Sequence, residues 1–147
     1  MKINTARFGA IEIDPERIIT FKNGIPGFDD RRFILLTPIE TAPFCWLQSV
    51  DSPGIAFVVA EPMTFLPEYN PNIPDSAYSE LNFGPEDEKL LLVVVVVPED
   101  IRKMTANLAA PIIINVDKRL AKQEILISDD YPLRYNLYES LCERSHA

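Results

Sequence analysis

Thr105-Ala106-Asn107-Leu108-Ala109-Ala110-Pro111-Ile112-Ile113-Ile114-Asn115 is the stretch from which the fold is read. Pro111 fixes its own φ and pushes Ala110 toward extended backbone, while Ile112, Ile113 and Ile114 are β-branched and lose little freedom on a pleated surface. The pattern predicts a loop that delivers the chain into a buried strand starting at Pro111 or just after it. Asn107 and Asn115 flank that strand. Asparagine side chains bond neighbouring backbone and tolerate left-handed turns, so both read as turn residues with a chiefly structural role. The physics of these eleven residues points to no chemistry.

On the N-terminal side, residues 90–97 form an eight-residue run of leucine and valine, which favours a fully buried strand over a helix. Pro98-Glu99-Asp100 places a proline and acids where a helix would begin, so 99–104 reads as a single helical turn. On the C-terminal side, 112–116 and 124–128 read as an antiparallel pair joined by Asp117-Lys118-Arg119, with 120–123 extending the second strand. Asp129-Asp130-Tyr131-Pro132 ends that strand, and 135–142 predicts a short terminal helix.

Further upstream, 5–13 reads as one bent strand or a tight hairpin with a bend allowed at Gly9, and 17–21 as the next strand after the Asp14-Pro15 turn. Asn23-Gly24-Ile25-Pro26-Gly27-Phe28 is a rigid, shaped loop. Residues 32–37 and 44–50 are strands separated by Pro38 and Pro43. The Asp51-Ser52-Pro53-Gly54 turn joins 44–50 to 55–60, an apolar run expected to be covered on both faces and to form a central hairpin with its neighbour. Residues 61–85 carry five prolines among acids and aromatics, and are expected to wrap the surface with at most a short helical turn near 75–81.

These strands belong to a chain of 147 residues, enough for one domain with one core. Its 13 prolines are dispersed and would interrupt any long helix. The expected fold is all-β and mainly antiparallel, a closed or partly closed barrel or sandwich, with a core over about 5–130 and a short C-terminal tail. No run approaches the roughly 20 apolar residues of a membrane-spanning helix. The N-terminus shows no export signal, and Cys45 and Cys142 occupy unlike settings that suit a reducing compartment, so a cytoplasmic protein is expected. A net charge of −8 disfavours direct nucleic-acid binding.

Candidates for catalysis are few. The one histidine, His146, is next to the last residue, so no histidine-based triad is expected. Neither CxxC nor HExxH spacing is present, which removes structural zinc, and Gly24-Ile25-Pro26-Gly27 lacks the spacing of a phosphate loop. The carboxylate pairs Asp29-Asp30, Glu86-Asp87-Glu88, Glu99-Asp100 and Asp129-Asp130 read as solvated surface. Phe44, Trp46, Phe57, Phe65 and Phe83 read as core or core-edge residues, because no basic residues interleave with them. Cys45 reads as a small core residue. No catalytic residue, cofactor or metal site is expected.

Four stretches carry a resemblance. Asn23-Gly24-Ile25-Pro26-Gly27-Phe28, Leu47-Gln48-Ser49-Val50, Ala56-Phe57-Val58-Val59 and the opening run 105–115 resemble, in order, those of the bacterial flagellar assembly factor family FliW. The resemblance covers about 5–127 and is weakest between Pro62 and Glu88 and beyond Tyr131. It implies a small antiparallel β-barrel without catalytic activity. It also implies two protein partners: the RNA-binding regulator CsrA, whose repression of flagellin translation the family relieves, and flagellin itself, whose secretion frees the factor to capture CsrA. The rival reading is a small-ligand-binding barrel, with weak hydrolytic activity, whose apolar mouth is lined by Phe57 or Trp46. If the factor silences a basic RNA binder through its charge, the acids must lie near the docking surface, because such a field reaches about 8 to 10 Å at physiological salt. Glu86, Asp87, Glu88, Glu99 and Asp100, which flank the 90–97 strand, are the candidates, with Met104, Asn107 and Leu108 as further contact residues.

Overall fold

A computed structural model describes residues 1–127 and 130–145. Asp129 of the last acid pair, the end of the expected 124–128 strand and the single histidine, His146, lie outside the described residues. The chain begins with a hairpin of β1 (Lys2–Thr5) and β2 (Gly9–Glu12), turning through Gly9 at φ 70°. It continues through β3 (Ile19–Phe21), β4 (Arg32–Leu36), β5 (Cys45–Ser49) and β6 (Ala56–Ala60). A six-residue helix, α1 (Asp75–Glu80), precedes the long strand β7 (Lys89–Val96). There follow β8 (Thr105–Ala106), β9 (Ile112–Asn115), β10 (Leu120–Gln123), β11 (Tyr135–Asn136) and the C-terminal helix α2 (Leu137–Ser145).

Seven of these strands close into a barrel in the order β3-β4-β5-β6-β7-β9-β10 and back to β3. Every pairing is antiparallel except β10 with β3, which run parallel, with Leu120 opposite Thr20. Ring closure uses two halves of β7. Val93 and Val94 pair with β6 on one side, and Lys89 to Leu92 pair with Asn115 to Ile112 of β9 on the other. Closure removes the open edges that make a flat sheet prone to aggregation.

Inside the ring, Phe21, Phe33, Leu47, Val59, Leu92, Ile112 and Ile114 form one buried cluster. Side chains in a strand alternate between faces, so a run of consecutive apolar residues is stable only where both faces are covered. Here they are. Ile112 and Ile114 point into the barrel while Ile113, with Leu91, lies outside it under Ala77 and Leu81 from α1 and its end. Val93 and Val95 join a separate outer core with Phe65, Tyr69, Met104, Leu108 and Leu137. A third outer cluster sets Ile3 and Ile13 of the N-terminal hairpin against Ile34 and Val50. The mainly antiparallel barrel expected from the sequence is thus a ring wrapped by three apolar pads.

Several details differ from the sequence reading. The partner of β9 is Leu120–Gln123 rather than 124–128, because Arg119 adopts φ 56° and closes the turn within four residues of Asn115. Residues 124–126 carry on beside the chain without strand geometry, Glu124 N donating to Pro111 O and Leu126 N to Ala109 O. The 61–85 segment does more than wrap the surface, since Phe65, Tyr69, Ala77 and Leu81 are buried and cover two faces of the barrel. Sequence could not show this, because prolines and polar residues separate those apolar side chains. Strand β6 is only half covered, with Ala56, Phe57 and Val58 partly exposed. Cys45 is a half-buried free thiol against the barrel core, and burial pushes its pKa up, helped by Glu61.

Candidate functional site

The sequence candidates fall at the two ends of β7. Eight residues at about 3.3 Å each separate Glu86-Asp87-Glu88 from Glu99-Asp100 by roughly 25 Å or more. That exceeds two Debye lengths at physiological salt, so the two acid groups act as two fields.

At the first end Asp87 is committed to the fold. Its carboxylate accepts from Lys118 Nζ at 2.5 Å, Gly84 N at 2.8 Å and Asn115 Nδ2 at 3.1 Å. The Lys118 hydrogen bond, followed by those from Gly84 and Asn115, holds the carboxyl down to about 2. Asn115 is fully buried; its Nδ2 also donates to Leu81 O at 3.0 Å, and its Oδ1 accepts from Lys118 N at 3.2 Å. This is the structural role its place after the isoleucines suggested. Glu86 and Glu88 are exposed. The Glu88 N–H donates to Asp117 Oδ2 at 2.6 Å, which fastens its backbone and leaves its carboxylate outside.

At the second end Asp100 caps the turn Ile101–Lys103 by accepting from Arg102 N at 3.1 Å, and it pairs with the Arg102 guanidinium at 3.0 Å. Both contacts lower its pKa, the side-chain bond to Arg102 most. Glu99 is exposed. Met104 and Leu108 are buried in the outer core, so their side chains belong to packing rather than to the surface. Asn107 is half-buried, and its Oδ1 accepts from Ala109 N at 3.0 Å, an Asx turn that shapes the approach to β9.

What the second end adds is a bare sheet face. Past Val94, β7 leaves the barrel and pairs with β8, which pairs in turn with β11. One face of this small sheet is filled by Val95, Ala106, Met104 and Leu137 of the outer core. The other carries a groove of about 400 Å³ lined by Val94, Val96, Thr105, Asn107, Leu133 and Arg134. Of its lining, Val96 is 60% exposed and Leu133 61%, and Val97 and Ile101, which follow Val96 in the chain, are exposed as well. Exposed apolar side chains rimmed by polar ones make this groove the candidate docking surface. Sequence reading missed Val96, Val97, Ile101, Leu133 and Arg134. The signal available was length: the valine run continues past the point where four- and five-residue neighbours can cover it.

The interior of the barrel is filled by aromatic and aliphatic side chains, Phe21 and Phe33 meeting edge to face at 5.2 Å. Trp46 does not line a mouth; it lies on the outer face of β5 beneath Arg7 and Phe8. Among the described residues no group of His, Cys, Asp and Glu is arranged to hold a metal ion, and no helix is long and apolar enough to cross a membrane.

Comparison with known proteins agrees over nearly the whole chain. A family model described as "FliW protein" matches residues 2–137. The flagellar assembly factor FliW of Thermoanaerobacter pseudethanolicus is 44% identical over 143 residues, covering 96% of this chain and 95% of that protein. The factor of the same name from Geobacillus sp. is 41% identical over 138 residues, covering 94% and 96%. A crystal structure of the flagellar assembly factor FliW superposes with a TM-score of 0.87 at 40% identity, covering 93% of this chain and 96% of that one.

Proposed function

This chain belongs to the FliW family of flagellar assembly factors, and from that premise we propose that it is a cytoplasmic protein-binding regulator that captures CsrA, relieves its repression of flagellin translation, and exchanges CsrA for flagellin. It acts by docking, without catalysis, cofactor or direct contact with nucleic acid or membrane. The observation that supports docking most is the bare face beyond Val94, where the exposed side chains of Val96 and Leu133 line a groove on a sheet whose opposite face is well packed. A rigid apolar surface costs little ordering entropy when a partner covers it.

The acids supply the second part of the reading. Held near a basic RNA-binding groove, Glu86 and Glu88 or Glu99 would lower its positive potential and repel phosphate. Asp87 and Asp100 contribute less, because Lys118 and Arg102 already neutralise them. The test is a competition titration of the protein into a complex of CsrA with a labelled flagellin leader RNA, followed by addition of flagellin. Release of RNA by this protein, and recapture of RNA once flagellin is added, is the expected result. Binding of neither protein would overturn the proposal.

A further inference from the structure

The turn between β1 and β2 covers the outer face of β5. Arg7 Cζ stands 4.1 Å from the centroid of the Trp46 ring, and Phe8 meets the same ring edge-on at 5.9 Å. Trp46 and Gln48 are two residues apart on β5 and so share a face. With Arg7, Pro53, Gly54 and Ala56 they line a cavity of about 500 Å³ that is broadly open to solvent.

Gln48 is the unusual member. It is 0% exposed, and its Nε2 donates to the carbonyl oxygens of Ser49 at 3.1 Å, Pro53 at 3.2 Å and Ile55 at 3.2 Å. Those three acceptors fix the amide, because turning it over would set its oxygen against three carbonyl oxygens. Its Oε1 is then an acceptor with no protein donor among the described residues, and the shielded Trp46 Nε1–H is a donor with no protein acceptor. Buried polar groups are normally paired, so an orphan acceptor and an orphan donor on one face of one strand call for a partner that supplies both. The Arg7 side chain is exposed and takes part in none of the ion pairs among the described residues. No carboxylate lines the cavity, although the chain carries a net charge of −8.

We propose that this cavity binds an acidic peptide segment of a partner protein, with a main-chain carbonyl accepting from Trp46 Nε1, a main-chain N–H donating to Gln48 Oε1 and an adjacent side-chain carboxylate paired with Arg7. A peptide backbone carries one acceptor and one donor at every residue, which is the complement of the orphan pair. The open shape suits an extended chain better than an enclosed small molecule. Both orphan atoms are shielded from solvent and Arg7 lies over the Trp46 ring, so entry requires Arg7 to leave the ring, and a carboxylate is the group that draws a guanidinium away. The proposal is independent of which protein covers the groove beyond Val94.

Trp46 is the one tryptophan of the chain, so its indole N–H resonance and its fluorescence both report on this cavity alone. The probe is N-acetylglutamate N-methylamide, a small molecule that carries main-chain carbonyls, N–H groups and a side-chain carboxylate together. Titration into the full chain should move the indole N–H resonance downfield and saturate. The glutamine analogue should bind about tenfold more weakly, the size of one hydrogen bond to a charged group. Arg7→Gln, a change at an exposed turn position, should bring the two probes to equal affinity. No saturable shift up to the solubility limit would overturn the proposal. So would a shift produced equally by sodium acetate, which lacks the peptide group, or a preference for glutamate that survives in Arg7→Gln.

Discussion

The two ends of β7 have similar strand composition and opposite surroundings. At the Lys89 end, Leu91 and Leu92 are buried on opposite faces and the polar groups beyond them are locked together by Asp87, Asn115 and Lys118. At the Val96 end only one face is covered, and the other holds Val96 and Leu133 in contact with water. One strand thus divides two tasks. The closed end sets stability, while the open end leaves apolar surface that contributes little to folding, the surface proposed above for docking. Substitutions of similar size should therefore have unlike consequences along eight residues of chain.

The largest contrast is between Leu92 and Val96. Leu92 is 1% exposed inside the barrel, so Leu92→Ala should destabilise by about 2–5 kcal/mol through lost transfer energy and the cavity left behind. Val96→Thr keeps the β-branch at an exposed position and should change stability by less than about 0.5 kcal/mol. Urea unfolding measures both. The same Val96→Thr protein should retain its partner less well in a pull-down, and a Val96→Thr variant that docks normally would break the division between the two ends.

A smaller effect belongs to the polar lock. Asn115→Ala removes the donor to Leu81 and Asp87 and the acceptor for Lys118, leaving buried backbone groups unpaired, at a cost of about 1–3 kcal/mol. The lock also titrates. The Asp87 carboxyl lies at about 2 in the fold, below the roughly 3.9 of an unfolded aspartate, so its contribution is fully present above about pH 4 and is lost as pH falls toward 2. Acid titration of stability should therefore be shallower between pH 4 and 2 for Asp87→Asn than for the parent chain. Equal slopes would show that the carboxylate does not depend on its partners.

The barrel was legible because its strands repeat short β-branched runs between prolines and glycines, and the unbroken isoleucines at 112–114 announced cover on both faces. The role of Asn115 was legible for the same local reason. What covers each face was not, since Phe65, Tyr69, Ala77 and Leu81 reach the barrel from a proline-rich segment without periodicity. The bare face was hidden by the same valines that mark β7 as a strand, because an unbroken apolar run reads as a strand covered on both faces along its whole length. Trp46 was read as core or core-edge because no basic residue lies near it in the sequence, and the Arg7 that covers it lies 39 positions earlier, a proximity only the hairpin creates.

The least visible effect on stability is also the sharpest test of how the two ends divide the work on a partner. Glu86 and Glu88 at one end, and Glu99 at the other, are exposed acids that no ion pair neutralises among the described residues. Replacing them with glutamine should leave stability within about 0.5 kcal/mol. Their charges lie roughly 25 Å apart along β7, against a screening length of about 8 to 10 Å. If the proposed docking of CsrA on the bare face places its RNA-binding groove near the Val96 end, Glu99→Gln alone should weaken displacement of a labelled flagellin leader RNA, and Glu86→Gln/Glu88→Gln should not. Added salt should weaken the parent protein in the same direction, because the interaction is a field rather than a contact. Both replacements must leave CsrA binding itself nearly unchanged. If the Glu86/Glu88 variant is the one that fails to displace RNA, the groove faces the closed end; if neither fails, charge at the ends of β7 has no part in the antagonism, and docking alone must account for it.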